Sequence, residues 1–327
     1  MDRPASAREG MKAQADQTPL PKTSLDITVL MGGPSNERQI SLLSGTAIAD
    51  GLDTVGHRVT RADITPQDTS ALDRKDIDVV FIALHGEFGE SGEVQALCDE
   101  RGLRYTGSNG RASRIGMDKA ASKQLIKRTG LATPDWMIIE EFHEPDQVSE
   151  WLDELAPPVV LKPVDGGSSV DITIAADTAQ RDKALEFLLD KYGRAMLERF
   201  VPGREFTVSI LGSRPLPLLE IISGGDFYDY QSKYDDDAGT QYVFDHGLEG
   251  EIVKRMQADA LKVHRVLGCR HLSRVDFILD LNGTSYVLEL NTIPGFTIHS
   301  LLPKAAAHAG ISFPELVDRI VALAVRG

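Results

Sequence analysis

The chain has 327 residues, enough for two or three domains around sizeable cores, and it carries 49 Asp and Glu against 35 Lys and Arg, a net charge of −14. That balance excludes a general nucleic-acid or anionic-membrane surface, so any polyanionic substrate must be met by a local cluster of basic side chains. Two cysteines, Cys98 and Cys269, give no disulfide framework and read as buried thiols of a cytoplasmic protein. No apolar run approaches membrane-spanning length, and residues 1–25, which lack the apolar core of a signal peptide, read as a disordered tail.

In chain order, DITVLMGG predicts a strand running into a Gly-Gly turn, and NERQISLLSGTAIADGL a helix with Ile40, Leu43 and Ala47 at helical spacing. DVVFIALHG predicts the next strand, leading through a glycine-rich loop into helix EVQALCDERG and on to RYTGS. This is an α/β unit with its loops at strand carboxyl ends, where such sheets bind ligands. A helix from Asp118 (DKAASKQLIKRTG) stops at Gly130, LATPDW reads as a linker, and antiparallel signals follow. VVLKPVDGGSSVDITIA predicts a hairpin about a glycine-rich turn; helix ALEFLLDKYG and strands AMLERF, EFTVSIL and LPLLEII come next. Residues 223–247 have no apolar period, and a loop this long in a compact domain reads as a lid or binding loop. Helix EIVKRMQADALKVHRVLG precedes a second hairpin, and SFPELVDRIVALAV closes the chain with Ser312 and Glu315 placed as a capping box.

That second hairpin, SRVDFILDLNGTSYVLELN, carries the chemistry. Strand alternation sends Val287, Glu289 and Asn291 to one face and Leu288 and Leu290 to the other. A two-residue Asn282-Gly283 turn makes Leu281 face Thr284, which sets Asp276 opposite Glu289 and Arg274 opposite Asn291. Like charges on directly paired positions, roughly 5 Å apart, are destabilising, so a positive group is expected between them. Two carboxylates and an amide oxygen are the hard donors that suit Mg²⁺ or Mn²⁺ shared with a substrate's phosphates. The competing reading is a solvated sheet face. Among the basic residues, Lys119, Lys162, Lys233 and Arg274 stand out. Lys162 leads into DGGSSV, where Gly166 and Gly167 let backbone N–H groups crowd a phosphate and Ser168 and Ser169 add hydroxyl donors. No Gly-Lys-Ser/Thr opens a helix, so this is not a Walker A loop. Metal hairpin, glycine loop, lysines and lid together describe a nucleoside-triphosphate site.

Over residues 26–325 the chain resembles the ATP-grasp ligases, and within them the D-alanine:D-alanine ligases of peptidoglycan and cell wall synthesis. The resemblance rests on GGPSNERQIS, IALHGEFGESGEVQ, YTGS, MDK, KPVDGGSSV, EFTV, FYDYQSKY, SRVDF and LELNTIPGFTIHSLLP, in that order. It implies an amino-terminal α/β (pre-ATP-grasp) domain at 26–117, then an α+β ATP-grasp fold with a central subdomain at 118–204 and a carboxyl-terminal one at 205–327. It implies that Asp276, Glu289 and Asn291 hold two Mg²⁺ or Mn²⁺ and that Lys119 and Lys162 contact ATP phosphates. Glu198, Phe200 and Val201 match the stretch that meets adenine, and Glu205 the ribose contact. Glu37 matches the holder of the first D-alanine's ammonium, linked through Ser168 to Tyr234 on the lid, with His85 near the same subsite. Ser300 and Leu301 match the pocket for the second D-alanine's carboxylate. The implied partners are D-alanine and ATP, with no nucleic acid and no membrane, and a homodimer is left open.

The chemistry accounts for these residue types. A carboxylate is a poor electrophile until phosphorylated, and phosphoryl transfer is helped mainly by positioning and positive charge, here from Lys233, Arg274 and the metals. The second amine then attacks an acyl phosphate, and the resulting oxyanion wants donors, for which Arg274 and the amide of Gly295 are candidates. Plainer roles compete: Glu37 complementing a helix dipole, His85 as a turn residue, Tyr234 as a surface aromatic, Arg274 as a mere neighbour of the acids. Two departures from the family pattern, Val164-Asp165 after KP and Asp171 after GSSV, add negative charge near a triphosphate and weaken its binding unless the side chains point away. Rival readings are a ligase for D-lactate or D-serine and a nucleotide-binding relative without chemistry.

Overall fold

The computed structural model describes residues 24–167, 170–223 and 239–326. Its amino-terminal layer is a parallel sheet ordered β2-β1-β3, built from β1 (Asp26–Met31), β2 (Arg58–Asp63) and β3 (Val79–Ile82). Helix α1 (Arg38–Thr54) and the last helix, α9 (Phe313–Arg326), cover one face. Ile27, Val29 and Phe81 meet Ile48, Leu52, Leu316 and Ile320 there. On the other face Leu30, Val80 and Leu84 pack with Val94 and Cys98 of α2 (Glu93–Glu100). Leu43 turns outward at 59 % exposure, because the buried stripe of α1 runs instead through Ile40, Ser44, Gly45 and Ile48. Small residues are required there: a Cβ on Gly45 would lie 2.5 Å from Met31 Cβ.

Two antiparallel sheets follow. The smaller, ordered β4-β7-β5-β6, comprises β4 (Trp136–Glu140), β5 (Val159–Pro163), β6 (Thr173–Ala175) and β7 (Arg194–Arg199). Helices α5 (Pro145–Glu154) and α6 (Thr178–Tyr192) flank these strands, with Ile139, Leu161, Leu185 and Leu197 in one core. Pairing of Val159 with Ala175 bears out the hairpin about the glycine loop. The larger sheet runs β11-β10-β8-β12-β13, from β8 (Gly203–Leu211), β10 (Leu219–Ile222), β11 (Gln241–Val243), β12 (Leu272–Asp280) and β13 (Ser285–Asn291), with the short β9 (Arg214–Pro215) beside β8. Behind it lie α3 (Gly110–Met117), α4 (Lys119–Arg128) and α7 (Gly250–Val266), and α8 (Leu301–His308) follows β13.

Several local expectations are corrected. The segment read as a linker ends in β4, and part of the long polar loop is β11, paired with β10 at the sheet edge. Glu315 does not close a capping box; its carboxylate accepts from Arg319, one turn on. The Asn282-Gly283 turn is not two residues long. Asp280 N–H bonds to Thr284 C=O, so Leu281, Asn282 and Gly283 form the loop, with Gly283 at φ +81°. The register shifts back at a bulge: Phe277 faces Val287 while Asp276 faces Glu289, so Leu288 is the extra residue. Val287 therefore joins Leu290 in the core, and Leu288 turns to the face that carries Glu289. The thiols of Cys98 and Cys269 are buried, which pushes them up to about 12 and about 11 respectively, as inert structural cysteines require.

Candidate active site

The two antiparallel sheets face each other across a cavity of about 380 Å³. Period-two alternation builds its walls. Along β12, Val275, Phe277 and Leu279 enter the core, while Asp276 and Ile278 line the cleft. Val160, Ile172 and Ile174 face Ile221, Ile278 and Leu288, so the walls are branched aliphatic, suited to a flat ring. Glu198, Glu205, Lys162, Asp276 and Glu289 bring polar groups to this cavity, and Phe200 and Val201 border it beside them.

Deeper in, Glu198 is 2 % exposed and sits between two ammonium groups. Lys162 Nζ donates to its Oε1 at 2.8 Å, and Lys123 Nζ lies 2.6 Å from Oε2. Burial alone would push this carboxyl up, but Lys162 and Lys123 together hold it below the usual carboxylate range. Lys123, absent from the sequence-based set, is the most buried of the basic side chains here. It donates to Thr133 Oγ1 at 2.5 Å and lies 5.2 Å from the Trp136 ring centroid. Burial lowers its pKa to about 8. Its one signal in the sequence is the four-residue spacing from Lys119, which puts both lysines on one face of α4. Lys119 Nζ donates to the Gly166 carbonyl at 2.6 Å and its N–H to Val164, tying α4 to the glycine loop; burial depresses its pKa as well.

Beyond Glu289 a second, tighter pocket of about 90 Å³ brings together Glu37, His85, Arg274, Asn291, Gly295 and Ser300, with Lys119, Gly167 and Leu301 also on its wall. Glu37 occupies the cap position of α1, yet its side chain makes no capping bond. Its Oε2 instead lies 2.9 Å from where a Gly86 Cβ would stand and 3.6 Å from a Gly167 Cβ, so two glycines make room for it. His85 Nε2 is 3.2 Å from Ser44 Oγ, and burial lowers its pKa. Glu90, five residues on in the same loop, was not singled out in the sequence. It accepts from Gly86 N–H at 2.7 Å, and burial, reinforced by Glu37, pushes it up to about 8. Ser300 occupies the cap position of α8 but makes no capping bond to that helix; its Oγ instead accepts from Thr297 N–H at 2.9 Å.

Asp276 and Glu289 are direct cross-strand partners, and so are Arg274 and Asn291. Part of the expected positive charge is Arg274 itself, which donates to both oxygens of Asp276 at 2.8–3.2 Å, while Thr207 Oγ1 donates to Oδ1 at 2.6 Å. Asn291 Oδ1 accepts from Ile293 N–H. Among the described residues no three or more His, Cys, Asp or Glu side chains converge on a metal position. Two carboxylates and an amide at the mouth of a lysine-lined cleft nonetheless fit a hard divalent cation that completes its shell with phosphate oxygens. Ser168, Ser169, Lys233 and Tyr234 lie outside the described residues.

A family model described as D-ala D-ala ligase C-terminus matches residues 125–322, and one described as D-ala D-ala ligase N-terminus matches residues 65–108. The chain is 41% identical to a D-alanine–D-alanine ligase of Gloeobacter violaceus over 90% of its length and 98% of that protein. Among solved structures it is similar to the D-alanine–D-alanine ligase of Bacillus anthracis complexed with ATP (TM-score 0.81, 35% identity, 93% of this chain and 98% of that one). It is also similar to the VanG D-Ala:D-Ser ligase of Enterococcus faecalis (TM-score 0.81, 26% identity, 92% of this chain and 100% of that one).

Proposed function

We propose that this chain, which belongs to the D-alanine–D-alanine ligase family, joins two D-alanines with ATP, releasing ADP and phosphate, and so supplies D-alanyl-D-alanine for peptidoglycan precursors. The observation that carries this reading is the place of Glu289. It borders both the aliphatic cleft and the tight pocket of Glu37, Arg274 and Ser300, so phosphoryl donor and acceptor meet beside it.

In the reaction, a carboxylate oxygen of the first D-alanine attacks the γ-phosphorus and the bond to the β–γ bridging oxygen breaks, leaving ADP and an acyl phosphate. Lys119 and Lys162 hold the phosphates, together with Lys233. Glu37 holds the ammonium of the first substrate, linked through Ser168 to Tyr234. The amine of the second D-alanine adds to the acyl carbon, and Arg274 and the Gly295 amide receive the oxyanion. The C–O bond to phosphate then breaks, and the nitrogen gives up its proton. Asp276, Glu289 and Asn291 would hold Mg²⁺ or Mn²⁺, two per site, which supplies charge neutralisation on the phosphoryl group. Phe200, Val201, Glu198 and Glu205 face the nucleoside, while His85, Ser300 and Leu301 line the amino-acid subsites. The domain division at residues 117 and 204 and a cytoplasmic location belong to the same reading.

Phosphate release with ATP, Mg²⁺ and D-alanine paired with D-alanine, D-serine or D-lactate tests it. D-alanyl-D-alanine should dominate, and Glu289→Ala should abolish it. Product formed without a divalent metal, or a preference for D-serine or D-lactate, would overturn the proposal.

A further inference from the structure

The two acidic departures in the glycine loop, Asp165 and Asp171, are both held by cations at one corner of the fold, although Asp165 also borders the space over Lys119 and Lys162. That corner is the junction of α6 and β7, Lys191-Tyr192-Gly193-Arg194, where Gly193 takes φ +71° and its N–H closes α6 on Leu189 C=O at 2.8 Å. Lys191 Nζ donates to Asp171 Oδ2 at 2.6 Å, and Tyr192 O–H donates to the same oxygen. Arg194 pairs with Asp165, and its guanidinium lies 3.9 Å from Asp118 Oδ2. Asp118 is the side-chain cap of α4, whose next residue, Lys119, holds the Gly166 carbonyl. Asp171 stands at φ +56°, a conformation natural to glycine and tolerated by Asp, and its side-chain bonds offset that backbone cost. One corner therefore grips both ends of the glycine loop and the cap of the helix that presents Lys119.

We propose that Lys191 and Arg194 are positioning residues for the phosphate end of the nucleotide. They fix the loop and Lys119 relative to each other, and their charges cancel two carboxylates that would otherwise face a polyanion. Alternation along β7 supports the geometry: Ala195 and Leu197 enter the core, which leaves Arg194 on the same face as Glu198, the anion at the floor of the cleft. The inference rests on the reading of that cleft as an ATP site. It also accounts for how this chain keeps two acids beside a phosphate loop.

The test is binding of Mg·ATP without amino acid, alongside steady-state kinetics. Both cations are partly exposed, so their removal spares the core. Arg194→Met and Lys191→Met should each raise the ATP Kd and KM about three- to fivefold, the upper range for exposed but networked pairs. The KM for D-alanine should stay within twofold. Arg194→Lys should keep ATP KM within about threefold of wild type, since charge is retained. Asp165→Asn added to Arg194→Met, and Asp171→Gly added to Lys191→Met, should restore most of the affinity by removing the exposed carboxylate. Unchanged ATP Kd in both Met variants, an equal rise in the D-alanine KM, or failure of both second-site changes to rescue would overturn the inference. A wild type that binds ATP but makes no dipeptide would instead overturn the ligase reading alone.

Discussion

Replacing Lys123 by methionine removes one of the two ammonium groups that share the Glu198 carboxylate while keeping an unbranched side chain against Trp136. Glu198 and Lys162 remain as a balanced pair, so no buried charge is left alone. The Lys123 side chain is 1 % exposed, and its pKa falls to about 8 in the fold against 10.5 for a free lysine. At about 1.4 kcal/mol per pH unit, keeping it charged at pH 7 opposes folding by roughly 3 kcal/mol. The sign follows from proton counts: between the folded and unfolded pKa values the unfolded chain binds more protons, so wild-type stability rises with pH there. The penalty is complete below about 8 and is lost as pH approaches 10.5. Lys123→Met should therefore be more stable than wild type by about 1–3 kcal/mol at pH 7, with less than half of that gain left near pH 9.5. The ATP KM should rise about tenfold, because Lys123 supplies the positive charge beyond the Lys162–Glu198 pair that a triphosphate would meet. Urea unfolding followed by tryptophan fluorescence at the two pH values checks the first part. A variant less stable than wild type at pH 7, or a difference that does not change with pH, would refute the reasoning.

Gly295→Ala places a Cβ 2.6 Å from Ser300 Oγ, so the hydroxyl that accepts from Thr297 N–H must move. The KM for D-alanine should rise about tenfold while ATP binding holds within twofold, as expected for a misplaced positioning group; equal effects on both substrates would show that the displacement is not local. His264 and His271 are both held neutral by burial, with pKa values of about 4. Unfolded, they protonate near 6.5, so their contribution is complete above that pH and is lost as pH falls toward 4. His264→Gln, which retains a partner for Ser273, should flatten the loss of stability between pH 6.5 and 4.5, and an unchanged acid limb in urea titrations would count against it.

The strands AMLERF, EFTVSIL and the β12 run were legible because each is a short apolar-rich run of strand length, and all three fall where the sequence puts them, buried on both faces rather than on every second residue. Elements lacking such a run were not. Strand β2, RVTRAD, has only Ala62 buried and takes its place from pairing with β1, which nothing local encodes. Helix α1 was placed correctly and Ile40 is buried as read, but Leu43 is not, since the stripe continues through Ser44, Gly45 and Ile48, where Gly45 admits Met31 and Ser44 Oγ meets His85. In the site, the acids and Lys119 and Lys162 could be found because chemistry restricts their types. Lys123 and Glu90 could not, because their roles depend on burial beside Glu198 and Glu37, residues distant in sequence.

The metal hairpin shows why a correct pairing can come from an incorrect turn. A two-residue loop and a straight ladder would pair Asp276 with Glu289; so does a three-residue loop followed by one extra residue, because the two one-residue shifts cancel. The alternatives differ in what lies between. Without the bulge, Leu288 would point into the core and Val287 would share the face of Glu289. With it, consecutive residues 288 and 289 both reach the cleft, one as aliphatic wall and one as carboxylate, which unbroken alternation forbids. The bulge thus lets one edge strand close the aliphatic slot and present the acid at its mouth, and deleting Leu288 would leave Val287 in the core and Asp276 opposite Glu289 while removing the aliphatic wall between them and the nucleoside end of the cleft.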